Sequence, residues 1–385
     1  MKPHLVFLYL GRRGISRLAL NLARCVADIS EVRATFCISR QNELFSEFAQ
    51  LRPMVLGVDT FTRGIGAAGR LYRVPFICRE LVRTVAVERS VAVVNLMPHV
   101  WTPLIAPVIR GRGCKYVTIV HDSVPHPGDP TSFVRAWTSR EARNADVVIT
   151  LSRAVSDTLL ARTRIAHQKV VTLFHPDLEF GYASPRQRPS SPFRVLFFGR
   201  ILPYKGLSIL VEALELLRSA GLQVELGVYG EGDLSLIRNR LTALGSEVVN
   251  RWIGDGEVGS VLSRFDAVVV SHAEASQSGV AAAALGSGLP VIASPVGGLV
   301  EQIVDGENGV LARTPDAGGL AEAIRRLASD TTLYETARKR ILETHPERSM
   351  GRFAEDVCTA ACTGSRRRSV RSGSQGVPGV GRHAG

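Results

Sequence analysis

Lysine is nearly missing from this chain of 385 residues: of 47 basic side chains only five (Lys2, Lys115, Lys169, Lys205 and Lys339) are lysine, and the rest are arginine. Aromatic residues are also few, at 6%, and no stretch interleaves them with basic positions or shows a helix-turn-helix pattern, which argues against nucleic-acid recognition. The six cysteines (Cys25, Cys37, Cys78, Cys114, Cys358 and Cys362) contain no Cys-x-x-Cys, so neither a disulfide framework nor a zinc module is expected and a reducing compartment suits them. No apolar run approaches the ~20 residues that cross a bilayer. The longest are interrupted by Asn95, His99 and Pro103, or by Gly286, Gly288 and Pro290. The first run, Leu5–Leu10, is too short for a signal-peptide core and reads as a buried strand. A cytoplasmic chain is expected, at most peripheral on the inner face of the membrane. Asp-x-Asp, the common metal–diphosphate ligand, is absent as well.

What is present is a globular balance, 45% hydrophobic and 21% charged, at a length that suits two domains. The formal net charge of +12 favours anionic partners without choosing among them. Short β-branched runs alternate with longer amphipathic stretches, the pattern of parallel α/β architecture. Strands are expected at Leu5–Leu10, Ala34–Ile38, Val91–Leu96, Tyr116–Val120, Val147–Thr150 and Val170–Leu173, then at Val195–Phe198, Val224–Tyr229, Val248–Ile253, Ala267–Ser271, Val291–Ala293 and Gly309–Ala312. Between these halves the stretch 182–192 carries three prolines, three serines and little that is apolar, which makes it a linker. The expected organisation is a first Rossmann-like domain at 1–178, a linker at 179–192, a second domain at 193–345, a helix at 346–362 returning to the first domain, and a disordered basic tail at 363–385. Two doubly wound domains then face a central cleft, with ligands at the carboxyl ends of the strands.

Two segments carry chemistry. In the first, strand Val195–Phe198 runs into Gly199-Arg200, then Lys205-Gly206 and a helix. Two cations beside a helix N-terminus make a diphosphate site, and a lysine among arginines is informative because its compact charge suits phosphate oxygens. A surface turn with solvated cations is the plain alternative. In the second segment, strand 268–271 feeds a loop with one acid, Glu274, and then Ser278 and Gly279 at a helix start. Their N–H groups can bind a phosphate or a sugar hydroxyl, and Glu274 can accept from the sugar, unless it only complements the helix dipole.

Gly199-Arg200 with Lys205-Gly206, Gly230-Glu231-Gly232, the Glu274 loop, Gly288-Leu289-Pro290-Val291, Gly297-Gly298-Leu299-Val300-Glu301 and Asp305-Gly306-Glu307-Asn308-Gly309 together resemble the carboxyl-terminal domain of glycosyltransferase family 4. The resemblance is specific over about 194–330 and weaker before it. It implies a GT-B fold and a retaining, metal-independent hexosyltransferase with no cofactor beyond its nucleotide-diphosphate sugar. The acceptor would be a glycan or a lipid-linked acceptor, as in polysaccharide synthesis. Arg200 and Lys205 would bind the donor diphosphate, Glu274 the transferred sugar, and Gly230, Ser278, Gly279 and Glu301 would line the donor site, with Ile253 and Gly254 over the base. In the first half, Gly11-Arg12-Arg13-Gly14 stands where the family has a glycine-rich loop, so Arg13 and Gly14 join the donor side. His121 follows the strand 116–120 where the family places a cleft histidine, with Asp122 and His126 on the acceptor side.

One departure stands out. The family's second glutamate, a ribose ligand, is replaced by Ala282 or Ala283 in either alignment. A variant enzyme and a non-catalytic nucleotide-sugar binder both fit this, and a GT-B enzyme such as an epimerase is a further alternative. Gly64-Ile65-Gly66-Ala67-Ala68-Gly69 matches a dinucleotide fingerprint by letter, but the next strand ends at Asn95 and Leu96 without the acid for a ribose, so a loop is expected. The stretch 70–88 is an amphipathic helix with Arg73, Arg79, Arg83 and Arg89. It packs on its own sheet, with an anionic membrane surface as the sharper partner.

Overall fold

The computed structural model describes residues 1–51, 54–62, 66–122, 131–180 and 191–364, the side chains of 131–135 apart. Two parallel sheets divide the chain. The first holds β1 (His4–Tyr9), β2 (Arg33–Ser39), β3 (Met54–Val58), β4 (Ser90–Asn95), β5 (Lys115–Val120), β6 (Val147–Thr150) and β7 (Val170–Thr172) in the order β3-β2-β1-β4-β5-β6-β7. The second holds β8 (Phe193–Phe198), β9 (Val224–Tyr229), β10 (Glu247–Val249), β11 (Ala267–Val270), β12 (Val291–Ala293) and β13 (Gly309–Leu311) in the order β10-β9-β8-β11-β12-β13. Both orders reverse direction at the first strand of the domain, the switch point where doubly wound sheets open a crevice. Helices cover both faces of each sheet, which is why β1 is buried at every residue.

β3 escapes the sequence pattern because it is an edge strand with Gly57 in it and only Val58 fully buried. β10 ends at Val249 rather than Ile253. The expected loop after β3 winds into a short helical turn at Gly66–Gly69, while Gly64 and Ile65 lie outside the described residues. The expected helix 70–88 begins later, at Val74, after a 3-10 turn Leu71–Arg73.

The chain crosses between domains twice. After β7 the segment 173–180 passes along the second domain, where Leu178 N–H donates to the Ala282 carbonyl at 3.1 Å. The chain returns through helix Met350–Thr363, whose Phe353, Val357 and Ala361 join the apolar cluster of Phe7, Leu18 and Leu22. The two crossings are joined by Asp177, buried, which pairs with Arg348 at 3.0 Å and with His345 at 3.2 Å. Most of the expected linker and of the tail, 181–190 and 365–385, lie outside the described residues.

Candidate active site

The second domain builds one wall around Lys205. β8 stops at Phe198, Gly199 turns at φ +97°, and a 3-10 turn Pro203–Lys205 leads through Gly206, at φ +70°, into helix Leu207–Ser219. Glycine is required at 206 because a Cβ there would stand 1.9 Å from the Ser271 carbonyl oxygen. The turn is fastened to the end of β11: Ser271 Oγ donates to the Lys205 carbonyl at 3.0 Å, and Ala273 N–H donates to the Tyr204 carbonyl at 2.8 Å. The Lys205 amine is thereby held 2.8 Å from His272 Nε2. Burial lowers its pKa to about 8, Arg200 pushes the same way, and Asp122 of the first domain opposes both. Arg200 and Glu274 are exposed, and neither forms an ion pair or a side-chain hydrogen bond among the described residues.

The first domain supplies the opposite wall. His121 directly follows β5 and is buried, and its Nε2–H donates to the Leu96 carbonyl at 2.9 Å. That bond fixes the tautomer and leaves Nδ1 as an acceptor. Burial lowers the His121 pKa, against the Leu96 carbonyl and Asp122, so the ring is neutral. The His121 carbonyl accepts from the Gln277 side-chain amide of the other domain at 2.8 Å. His175 sits close to His121 in the same buried region, and burial pushes its pKa to about 4. Nothing in the sequence marks His175, because only the crossing after β7 brings it here.

Several expected donor residues are committed elsewhere. Ser278 N–H donates to Gln302 Oε1 at 3.0 Å, and its hydroxyl accepts from Ala281 N–H at 3.2 Å, so Ser278 caps its helix and Gly279 keeps the exposed N–H. Glu301 accepts from Arg153 N–H at 2.7 Å and Ala154 N–H at 2.9 Å, both in the first domain. Ile253 points into the core and Gly254 N–H donates to Glu257 Oε1 at 3.2 Å. Arg13 pairs with Glu43 at 3.5 Å, and Gly14 sits at φ +95°. Gly230 acts through its missing side chain: a Cβ would stand 1.8 Å from the Gly199 carbonyl oxygen. The two positions aligned with the family's second glutamate are buried, Ala282 against the first domain's cluster and Ala283 within the second's. His126 lies outside the described residues.

A crevice of about 910 Å³ lies between the domains, lined by His175, Gln277, Arg153, Glu301, Asp177 and Arg348 among others. Arg200, Lys205, His121 and Glu274 are not part of its lining. Among the described residues no group of three His, Cys, Asp or Glu side chains is placed to hold a metal ion.

Residues 192–330 match the family model for glycosyl transferases group 1. A glycogen synthase of Mycobacterium tuberculosis is 28% identical over 250 residues, which cover 62% of this chain and 59% of the relative. A D-inositol 3-phosphate glycosyltransferase of Catenulispora acidiphila is 30% identical over 258 residues, covering 58% and 60%. The chain thus spans about three fifths of the length of these relatives. Among solved structures, HepE of Anabaena in complex with UDP and glucose superposes with a TM-score of 0.71 over 93% of this chain and 99% of its own, at 17% identity. Residues 192–330 thus resemble the group 1, family-4-like glycosyltransferases, and the two sheets together have the GT-B fold of that solved structure.

Proposed function

We propose that the chain is a retaining glycosyltransferase moving a hexosyl group from a nucleotide-diphosphate sugar to a glycan or lipid-linked acceptor in polysaccharide or glycoconjugate synthesis, with no metal or other cofactor. The observation that carries this reading is the half-buried Lys205 amine beside the uncommitted Arg200 at a helix start, where Asp122 of the first domain also acts on its charge. A diphosphate between them would gain two cations in a partly dehydrated site, where charge stabilisation is strongest. In the reaction the bond from sugar C1 to the diphosphate oxygen breaks and an acceptor oxygen bonds to C1 from the same face. The acceptor proton passes to the departing phosphate oxygen. Arg200 and Lys205 neutralise the charge growing on that leaving group. Neutral His121 offers Nδ1 to a sugar hydroxyl, and Glu274 accepts from the sugar's other hydroxyls. HepE, bound to UDP, has the same fold and supports a nucleotide-sugar donor.

A second reading, a nucleotide-sugar binder without catalysis, is favoured by the buried Ala282 and Ala283 where the family carries a carboxylate. A thermal-shift screen of nucleotide sugars tests both readings at their shared step, because a ligand of the folded state raises the melting temperature. One preferred base and sugar is the expected result; no shift with any nucleotide sugar would remove both.

The acceptor proposal also has a surface. The outward stripe Tyr72, Phe76, Arg79, Arg83 and Val87 on and before helix Val74–Glu88 joins exposed apolar to basic side chains, which suits a cytoplasmic chain resting on an anionic inner membrane face. No helix among the described residues is long and apolar enough to cross a membrane.

A further inference from the structure

The segment 297–302 makes two sets of contacts at once. Inside its own domain it braces the Glu274 loop: Gly298 N–H donates to the Ala275 carbonyl at 3.1 Å, and Gln302 holds Ser278 by two hydrogen bonds of 3.0 Å. The fit is close, since a Cβ on Gly297 or Gly298 would stand 1.8 Å from the carbonyl oxygen of Ala275 or Ser276. Across the domain boundary, Glu301 places both carboxylate oxygens on the first two N–H groups of helix Arg153–Thr163, at 2.7 and 2.9 Å. The third N–H of that helix, on Val155, goes to Ser152 Oγ at 3.3 Å, and the same hydroxyl donates to the Ser276 carbonyl at 2.9 Å. Gln277, the next residue, donates to the His121 carbonyl.

A helix start has N–H groups with no partner inside the helix, and a carboxylate there also complements the dipole. Here two of them are completed by the other domain. When the domains part, two N–H groups and a carboxylate return to water. When they dock, the segment that Glu301 anchors fixes the backbone of residues 275–278, and Gln277 and Ser276 tie that backbone to His121 and Ser152. The geometry points to Glu301 as a latch: a positioning residue, with Gln277, that couples docking of the two domains to placement of the Glu274 loop opposite His121. This rests on the transfer reading for its catalytic consequence but not for the latch itself.

The test uses the full chain and three variants. Glu301→Ala removes the carboxylate. Arg153→Pro removes one of the N–H groups it holds, at the first helical position where proline is accommodated and after Ser152 in extended backbone. The double variant joins them. Small-angle scattering without substrate reads domain docking. The latch predicts a larger radius of gyration for each single variant, and a double variant no more open than Glu301→Ala alone, because both remove one interaction. Scattering that superimposes on the wild type for Glu301→Ala overturns the latch, as does an opening of the double variant equal to the sum of the two. If Arg153→Pro does not fold, Glu301→Ala beside Glu301→Gln still decides, the amide being expected to keep one contact and open less. Where transfer is measurable, Glu301→Ala should lower kcat by about ten- to a hundredfold with nucleoside diphosphate affinity changed less than about twofold. A latch that holds while no transfer is found would count against the enzyme and leave the coupling in place.

Discussion

Lys205 Nζ stands 2.8 Å from His272 Nε2, so the ammonium donates into an imidazole lone pair. Burial of that ammonium, with Arg200 adding to it, makes it release its proton near pH 8 rather than 10.5. Diphosphate recognition needs the charged form. Donor kcat/KM is therefore expected to fall as pH rises through about 8, because that ratio reports the free enzyme. Lys205→Arg should flatten this limb of the profile, since arginine does not titrate there. A wild-type profile level from pH 7 to 9 would count against the assignment.

Glu274 has no partner among the described residues, in contrast to Glu301 and Glu257. Its removal should leave the fold and the nucleotide site alone. Glu274→Ala is expected to lower kcat by about a hundredfold or more while the affinity for nucleoside diphosphate stays within about twofold of wild type. A loss of nucleotide affinity matching the loss of rate would move Glu274 from the sugar to the diphosphate.

Glycines at the strand ends divide by what a methyl group would meet. Gly206→Ala and Gly230→Ala drive a Cβ to within 1.9 and 1.8 Å of a carbonyl oxygen, so each should destabilise the second domain by about 1–3 kcal/mol or more. Gly279→Ala meets nothing within 4 Å and should melt with the wild type. Thermal denaturation separates the two classes, and equal melting of Gly230→Ala and Gly279→Ala would contradict the packing around Gly199.

A buried carboxyl in the first domain has its own pH signature. Glu141 is fully buried, and its Oε1 accepts from Tyr116 Oη at 2.7 Å, Asn95 Nδ2 at 2.8 Å and Thr118 Oγ1 at 3.2 Å. Oε2 has no partner, nor has Asn95 Oδ1. Burial raises the Glu141 pKa, against these hydrogen bonds, and among the described residues no cation pairs with it. A raised folded-state pKa means stability that is present below the unfolded value and lost as pH rises through the folded one. Wild-type stability should drop over that window by at most ~1.4 kcal/mol per pH unit, and Glu141→Gln should remove the drop. Parallel urea midpoints for the two proteins from pH 5 to 9 would refute this.

Much of the scaffold could be read from the residues because parallel strands buried on both faces are continuous apolar runs. β6, β9 and β12 have the expected ends, and β3 was missed because an edge strand with a glycine carries no such run. The candidate site is legible where its residues are local: Arg200, Lys205 and Gly206 lie within one strand–turn–helix unit, as expected. It was not legible where a side chain's partner is distant. His272 lies 67 positions from Lys205, and the N–H groups held by Glu301 lie 147 and 148 positions away, so a residue that looks like a donor ligand in sequence is a contact between domains in space. The positive charge is local as well: Arg200 stands exposed near the half-buried Lys205, while Arg17 pairs with Asp255 of the second domain at 2.5 Å and Arg194, Arg240, Arg251 and Arg264 are paired on the surface.

The most direct measurement is the release of nucleoside diphosphate from the nucleotide sugar that best stabilises the chain, for wild type beside Lys205→Ala. The account predicts steady release by the wild type, faster with acceptor glycan, and release at least about a hundredfold slower by the variant. Equal rates in the two proteins, or no release by a wild type that binds the donor, would contradict it.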